Sequence, residues 1–264
     1  DSRAPGSRPR TSKNSSTNSR FRWMRRLALL GRGLIFVGLK YKCPCCNWSL
    51  RSFVDKSSVF KKTVDGYCPR CNSKARHRRD WMYLEPRISS GPEKMWILDV
   101  APWWSFGRNL SRMNNISYFG LDLDPEAPFV NVAGNITEIP ASSAVFDAVI
   151  CIHVLEHVDN DRQAMDEICR VLKPGGWAIV TVPILPDEPT REDPSVTSPD
   201  EREKIFGEKG HVRFYGMDIR NRLEAAGFRV TLEPAEHISE KVRRKNGLRL
   251  DENIFLCEKP QSAI

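Results

Sequence analysis

The sequence lacks any uninterrupted run of about 18 apolar residues, the length that a transmembrane helix needs. Its most apolar N-terminal stretch, residues 27–39, contains Arg32 and three glycines, and no small-residue cleavage site of a secretory signal follows it. The basic residues in and beside this stretch favour a helix that lies on a surface. We therefore predict a cytoplasmic protein with a basic helix over residues 24–42, which either contacts a membrane peripherally or packs against the body of the protein.

The body of the protein also has little net charge. The formal charge of the whole chain is +8, whereas residues 1–42 alone carry +10, which leaves −2 for the remainder. A nearly neutral body argues against a nucleic-acid-binding groove on its own surface. Residues 1–23 combine arginine and serine with very few apolar side chains, a composition that predicts a disordered basic tail.

Eight cysteines are present, and five of them lie within residues 43–71. Two CxxC units, at 43–46 and 68–71, are separated by twenty-one residues. Two such knuckles can place four thiolates tetrahedrally around Zn²⁺ in a closed, structural site, the alternatives being a redox pair or unmetallated turns. Cys45 does not fit the two-residue spacing. We predict a zinc-binding module over residues 43–90 whose ligands are Cys43, Cys46, Cys68 and Cys71.

Residues 91–264 alternate between apolar runs and helical patterns, and the sequence shows no internal repeat. This alternation predicts an α/β fold around a mostly parallel sheet. Strands are expected at 95–101, 116–123, 146–152, 176–183, 228–234 and 253–259. Helices are expected at 159–172, which ends at the sequence Lys-Pro-Gly-Gly, and at 216–226.

The segment FDAVICIHVLEHV, followed by RVLKPGG and an apolar strand, resembles the central block of class I S-adenosylmethionine-dependent methyltransferases, of the type 11-like kind. The flanking RCNSKARHR and HVRFYG segments resemble a narrower, largely uncharacterised bacterial group with an N-terminal cysteine module, so that the resemblance spans residues 41–259. It implies a Rossmann-like methyltransferase fold with a mostly parallel seven-stranded sheet, preceded by a small zinc-ribbon-like module. It also implies S-adenosyl-L-methionine as the cofactor.

Within this resemblance, Asp122 matches the acid that follows the second strand and binds the ribose hydroxyls of the cofactor. Asp124 is the rival, because it lies two residues further on the same face. Asn135 matches the position that binds the adenine amino group, with a turn-forming asparagine as the alternative. Leu123 and Ile136 are expected as walls of the adenine slot.

The loop after the first strand departs from the family, because the usual glycine-rich GxGxG is absent. Asp99 and Ala101 lie at the junction of the strand and this loop, and both are expected beside the cofactor. Ala101 is small enough for a close backbone approach, whereas Pro102 removes an N–H group. Trp103 and Trp104 either pack against the cofactor or cap the core.

Two histidines are the expected catalytic residues. His153 follows the strand at 146–152, next to the expected methyl group, and forms an i, i+4 pair with His157. His211 follows a predicted lid over residues 184–210, after which Arg213 either serves the substrate or pairs with acids of the lid. If the acceptor is a hydroxyl, His153 or His211 is the candidate base.

Three functions agree with these residues. The favoured one is a methyltransferase that acts on a small-molecule, glycan or lipid-linked acceptor. The second is an RNA methyltransferase in which the zinc module and the basic arm dock nucleic acid, with aromatic side chains near the cysteines stacking on bases. The third is a non-catalytic protein that keeps the cofactor fold.

Overall fold

The structure is a computed structural model and describes residues 29, 31–55, 62–63, 66–92, 94–249 and 253–261. Its strands are β1 (Val37–Cys43), β2 (Trp48–Leu50), β3 (Phe53–Val54), β4 (Lys62–Thr63), β5 (Met95–Val100), β6 (Ile116–Asp122), β7 (Val132–Ala133), β8 (Phe146–Ile152), β9 (Leu172–Thr181), β10 (Ile184–Leu185), β11 (Arg191–Glu192), β12 (Arg213–Gly216), β13 (Arg229–Pro234) and β14 (Asn253–Glu258). Its α-helices are α1 (Ala75–Ser89), α2 (Trp104–Leu110), α3 (Asp161–Val171), α4 (Pro199–Phe206), α5 (Ile219–Ala225) and α6 (Glu240–Asn246).

A seven-stranded sheet has the strand order β13-β14-β9-β8-β5-β6-β7. The pairs from β9 through β8, β5 and β6 to β7 are parallel, whereas β14 runs antiparallel to both β9 and β13. The predicted Rossmann-like methyltransferase fold with a mostly parallel seven-stranded sheet is therefore confirmed. Because the parallel strands β5, β6 and β8 are neighbours, the residues that follow them meet at one edge of the sheet.

Successive side chains of the central strands point to opposite faces, and both faces are buried. One face packs on α3 and α5 and includes Leu98, Val149, Cys151, Val180 and Phe255. The other face belongs to a second hydrophobic cluster and includes Ile97, Ala148, Ile150, Ile179 and Ile254. Members of this second cluster also come from the cysteine module, namely Cys43, Leu50, Phe53, Cys68 and Cys71. The module therefore shares a core with the sheet.

The predicted basic helix over residues 24–42 is wrong in its C-terminal part. The described helical residues end at Ile35, and Val37–Cys43 form strand β1, which pairs antiparallel with β2. The pairing of β1 with β2 positions Cys43 in the first knuckle. These tertiary contacts outweigh the helix propensity of the segment. The predicted disordered tail over 1–23 lies outside the described residues. Among the described residues, no helix combines the length and the apolar character needed to cross a membrane.

The Lys-Pro-Gly-Gly sequence ends helix α3 as predicted, but it lies inside strand β9 instead of before it. Phe146 pairs with Leu172 and Ala148 with Trp177, so residues 173–176 form an irregularity in the β8–β9 ladder. Gly175 has a φ of +77°, and its N–H donates to the Lys259 carbonyl. The extra residues therefore connect the strand to the end of β14.

The predicted lid over residues 184–210 contains β10, β11 and α4. Ser198 accepts a hydrogen bond from the Glu201 N–H and so caps α4, and Gly207, with a φ of +82°, ends it. Strand β12 pairs with both β10 and β11. Arg213 Nε lies 2.9 Å from Glu192 Oε2, so this arginine pairs with an acid of the lid.

Arg78 in α1 joins the cysteine module to the rest of the protein. Its side chain is fully buried, and its guanidinium lies 3.9 Å above the ring of Phe53. It donates four hydrogen bonds of 2.6–2.9 Å, all to backbone carbonyl oxygens, those of Gly66, Ser73, Asn246 and Gly247. Two of these carbonyls belong to the module and two lie at the end of α6, so one side chain holds both parts together.

We expect Arg78→Ala to lower the free energy of unfolding by about 3–5 kcal/mol, because it leaves buried carbonyl oxygens without donors. Urea denaturation of the metal-loaded protein measures the change. The matched control is Arg229→Ala, which removes an exposed ion pair with Glu258 and is expected to cost about 1 kcal/mol or less. Equal losses in the two variants would contradict the role assigned to Arg78.

Candidate active site

The carboxyl edge of the central sheet collects most of the residues that the sequence predicted for the site. Asp99 and Ala101 lie at the end of β5, Asp122 and Leu123 at the end of β6, and His153 directly after β8. The pairs Val100–Leu121 and Val100–Cys151 place these strand ends side by side. The crevice outside such strand ends is where open α/β sheets bind ligands.

Two non-glycine residues at this edge adopt the left-handed conformation. Ala101 has a φ of +50° and His153 a φ of +54°. Their backbones are fixed by neighbouring strands, since the Ala101 N–H donates to the Leu121 carbonyl and the His153 N–H to the Thr181 carbonyl, both at 2.8 Å. Such backbone strain concentrates at ligand-binding sites. Ala101 thus adopts, at an energetic cost, the conformation that glycine would allow freely.

Asp99 lies beneath the strand ends and is 2% exposed. Burial raises the pKa of its carboxyl to about 7, although the Tyr118 hydroxyl, 3.1 Å from Asp99 Oδ2, opposes that rise. With this pKa, the Asp99 carboxyl is ionised in only part of the molecules near neutral pH.

Asp122 is half-buried at the end of β6, and its Oδ1 accepts a hydrogen bond of 2.9 Å from the Asp124 N–H. Asp124 is exposed and its own Oδ1 accepts from the Glu126 N–H. Leu123, between them, is 73% exposed, which is unusual for a large apolar side chain. A carboxylate beside an exposed apolar surface provides the contacts that a ribose and an adenine ring require.

Asn135 and Ile136 follow β7 on the same edge of the sheet. Asn135 is exposed, and its Oδ1 accepts a hydrogen bond of 3.0 Å from the Thr137 N–H. This bond stabilises the turn, as expected for the alternative role of a turn-forming asparagine. An amide oxygen has a second lone pair, which leaves the predicted adenine contact open. Ile136, the other predicted wall of the slot, is 5% exposed and packs in the core.

His153 forms a close pair with Glu156. Its Nδ1 lies 3.0 Å from Glu156 Oε1, and the carboxyl group of Glu156 is almost completely buried. Burial lowers the pKa of His153 below its ordinary value, and the contact with Glu156 offsets part of that shift. The ring is therefore neutral near pH 7, with its Nδ1 proton held by the carboxylate and its Nε2 lone pair available.

His153 lines a cavity of about 430 Å³ between the sheet edge and the cysteine module. The module and α1 contribute Gly66, Tyr67, Lys74, Ala75, Arg76 and Asp80. The remaining lining residues are Thr181, Val182, Pro183, Ile184, Phe214, Arg249 and Asn253. The cavity is large enough for a small molecule or a sugar-sized group.

Sequence reasoning missed two acidic residues of this site, Asp80 and Glu156. Asp80 is 1% exposed, and burial raises the pKa of its carboxyl to about 7 against the opposing charges of Arg79 and Arg76. Its Oδ2 is buried without a hydrogen-bond partner in the structure. Asp80 lies among the arginines of helix α1, and Glu156 lies in the VLEHV sequence after β8.

The structure does not place the second predicted base, His211, in this cavity. His211 is 6% exposed and its ring lies 4.8 Å from that of His157, centroid to centroid. Its side chain lies close to those of Glu156 and His157, two residues that follow His153 in the sequence. Of the two predicted bases, His153 is therefore the one that lines the cavity.

Cys43, Cys46, Cys68 and Cys71 form a cluster compatible with structural zinc. The Sγ atoms of Cys43 and Cys71 are 3.6 Å apart, and those of Cys46 and Cys68 are 3.7 Å apart. Tetrahedral Zn²⁺ with Zn–S bonds of about 2.3 Å requires sulfur atoms about 3.8 Å apart. The predicted zinc-ribbon-like module is thus supported by the geometry of its thiols.

The two knuckles share their backbone geometry. Asn47 and Asn72, which follow the second cysteine of each knuckle, have φ angles of +53° and +59°. Cys45 stays outside the cluster, as its spacing predicted, and its Sγ donates to the His77 carbonyl. Burial and the neighbouring Cys43 raise the pKa of Cys45 well above its ordinary value, so it remains a thiol.

Comparison with known proteins agrees with this fold. A family model described as "Methyltransferase domain" matches residues 106–180. An uncharacterized protein of Methanocaldococcus jannaschii is 36% identical over 90 residues, which are 33% of this chain and 40% of that protein. A "Probable S-adenosylmethionine-dependent methyltransferase" of Mycolicibacterium smegmatis is 40% identical over 50 residues, 19% of this chain and 20% of that protein. This chain thus spans less than half the length of either relative.

Among solved structures, that of the [4+2]-cyclase SpnF is similar, with a TM-score of 0.51 and 18% identity. The match covers 70% of this chain and 82% of that one. It supports the fold alone. Because the similar structure is that of a cyclase, the reaction has to be argued from the site and not from the fold.

Proposed function

We propose that this protein is an S-adenosylmethionine-dependent methyltransferase that acts on a small-molecule or glycan acceptor, free or lipid-linked. The observation that carries the proposal is the cavity lined by His153, the residue after β8. In the sheet, β8 is next to β5, and β5 is next to β6, the two strands that carry Asp99 and Asp122. The family match over residues 106–180 and the name of the mycobacterial relative support the same chemistry.

The residues at the strand ends suit the cofactor. Asp122 would accept hydrogen bonds from the ribose hydroxyls, Leu123 would cover one face of the adenine, and Ala101 would allow the backbone to approach. S-adenosylmethionine, when bound, supplies a methyl group on a sulfonium that is ready for transfer to a nucleophile. Positioning of that nucleophile is the main task left to the protein.

His153 is placed to prepare an oxygen nucleophile. With its Nδ1 proton held by Glu156, its Nε2 can accept the proton of an acceptor hydroxyl. Glu156 orients the ring and stabilises the imidazolium that forms. The left-handed backbone at His153 and its N–H bond to Thr181 fix the position of the ring against the cavity.

Charged groups of both signs line the cavity. Lys74, Arg76 and Arg249 line it together with the buried carboxyl of Asp80. With a pKa of about 7, Asp80 can donate a hydrogen bond when protonated and accept one when ionised. These groups suit a polar acceptor with several hydroxyl or anionic groups.

Three aromatic side chains near the cysteines do not favour an RNA acceptor. Trp81 is buried, Trp48 lies under Arg70 at 3.9 Å and Tyr83 lies under Arg87 at 3.7 Å. Rings that are already covered by arginine or by the core offer little surface for stacking on bases. We therefore propose the small-molecule or glycan class.

Two measurements test this function. Calorimetry with S-adenosylhomocysteine should show binding by the full chain, and incubation with methyl-labelled cofactor and fractionated polar metabolites or glycans should transfer label. Absence of cofactor binding would overturn the proposal and favour a non-catalytic protein. Label that enters only RNA would overturn the proposed acceptor class.

We expect His153→Ala to slow methyl transfer by about 10²–10⁴-fold and to leave binding of S-adenosylhomocysteine nearly unchanged. The lowered pKa of His153 means that its neutral form, the base, persists below the usual range, so activity should fall only at acidic pH. A pH profile of kcat/KM measures this fall in activity at acidic pH. The exposed His237→Ala is the control, and an unaltered rate in His153→Ala would contradict the role.

A further inference from the structure

A second group of metal-binding side chains lies apart from the cysteines. The nearest ligand atoms of Glu156, His157 and His211 lie within 4.8 Å of one another. Glu156 and His157 belong to the short helix Leu155–His157 after β8, whereas His211 follows the lid helix α4. The group therefore connects two segments that are distant in sequence, the turn beside His153 and the end of the lid.

Both histidines use the same ring nitrogen for a contact with the backbone. His157 Nδ1 lies 3.0 Å from the Gly210 carbonyl oxygen, and His211 Nδ1 lies 3.0 Å from that of Phe206. Since a carbonyl can only accept, each Nδ1 carries the proton and each Nε2 keeps its lone pair. Metal-binding histidines are oriented in this way by a backbone carbonyl behind the ring.

Glu156 provides the third donor and an independent reason to expect a ligand. Its side chain is 1% exposed, and Oε1 contacts His153. Its Oε2 is buried and has no hydrogen-bond partner in the structure. A buried carboxylate oxygen without a partner is costly, and a cation at this point would remove that cost. His211 Nε2 also lies 3.4 Å from Glu208 Oε2, which places a fourth donor nearby.

We propose that Glu156, His157 and His211 bind a divalent first-row transition-metal ion, for which Zn²⁺ is the best match. Two imidazole nitrogens and one carboxylate oxygen form a common Zn²⁺ donor set. Bonds of about 2.1 Å require donor atoms about 3.4 Å apart, which small side-chain rotations provide. The ion fastens the lid to the turn that carries His153, and it is separate from the cysteine cluster.

The test compares zinc content after saturation with Zn²⁺ and removal of unbound metal. His157→Gln should contain about one ion per chain less than the wild type, and His237→Gln, which changes an exposed histidine outside the group, should match the wild type. His157 is itself exposed, so its replacement is compatible with folding, which a thermal melt verifies. His211→Gln is the second variant and should lose the same ion.

Limited proteolysis with trypsin reports on the lid directly. Arg191, Arg202 and Lys204 offer cleavage sites within the lid. Cleavage there should be slower in the zinc-saturated wild type than in His157→Gln and should not differ between wild type and His237→Gln. The proposal would be overturned if His157→Gln and His211→Gln contained as much zinc as the wild type. It would also be overturned if His157→Gln left the cleavage of the lid unchanged. Neither result bears on cofactor binding, so the proposed function is tested separately.

Discussion

Asp122→Ala is expected to weaken binding of S-adenosylhomocysteine on the order of tenfold to a thousandfold. The carboxylate ends β6 beside the exposed Leu123, where two ribose hydroxyls can donate to it. The lower bound corresponds to the loss of one charge-assisted hydrogen bond of about 1.5 kcal/mol, and the upper bound to the loss of two of about 2 kcal/mol each. Calorimetry measures the change without knowledge of the acceptor, because the product of the cofactor is itself the ligand.

Asp124→Ala is the matched control for this substitution. Asp124 is exposed, and its side chain serves the turn by accepting the Glu126 N–H. Its removal should change cofactor affinity a few-fold at most, whereas Asp122→Ala also loses the bond from the Asp124 N–H. A thermal melt of both variants separates this local loss from lost binding. Wild-type affinity in Asp122→Ala, or a greater loss in Asp124→Ala, would contradict the ribose assignment.

The central sheet could be predicted because its information is local. The apolar runs at 95–101, 116–123 and 146–152 coincide with β5, β6 and β8 to within a residue. Strands buried on both faces read as continuous apolar runs, and helices between them set the parallel order. Strand β7 has only two residues, and such a strand leaves no pattern in the sequence.

The rest of the site depends on contacts between distant segments, which local patterns do not report. Asp80 lies in an arginine-rich helix that resembles an exposed one, yet it is buried because the cysteine module packs on the sheet. Strand β1 pairs with β2 and ends at Cys43, whose Sγ meets that of Cys71, twenty-eight residues later in the chain. In the same way, His211 meets Glu156 only because the lid folds back onto the turn after β8.

Cys68→Ser should remove zinc from the cysteine cluster and lower the melting temperature by a larger amount than any other single change considered above. Cys68 is fully buried and its Sγ lies 3.7 Å from that of Cys46. Replacing a residue behind a metal ligand already costs about 10–100-fold in affinity, so the loss of a direct ligand should cost more. Binding of structural zinc is coupled to folding, and this module shares its core with the central sheet, so the destabilisation should spread.

Cys45→Ser is the control for Cys68→Ser, because it makes the same chemical change within the same module. Cys45 is also buried, but its Sγ donates to the His77 carbonyl, a hydrogen bond that a serine hydroxyl can keep. We expect Cys45→Ser to retain the zinc of the wild type when metal content is measured on protein purified under reducing conditions. An unchanged zinc content in Cys68→Ser would contradict the assignment of the four ligands. Loss of zinc in Cys45→Ser would instead place Cys45 among them, since only a direct ligand has so large an effect at constant side-chain size.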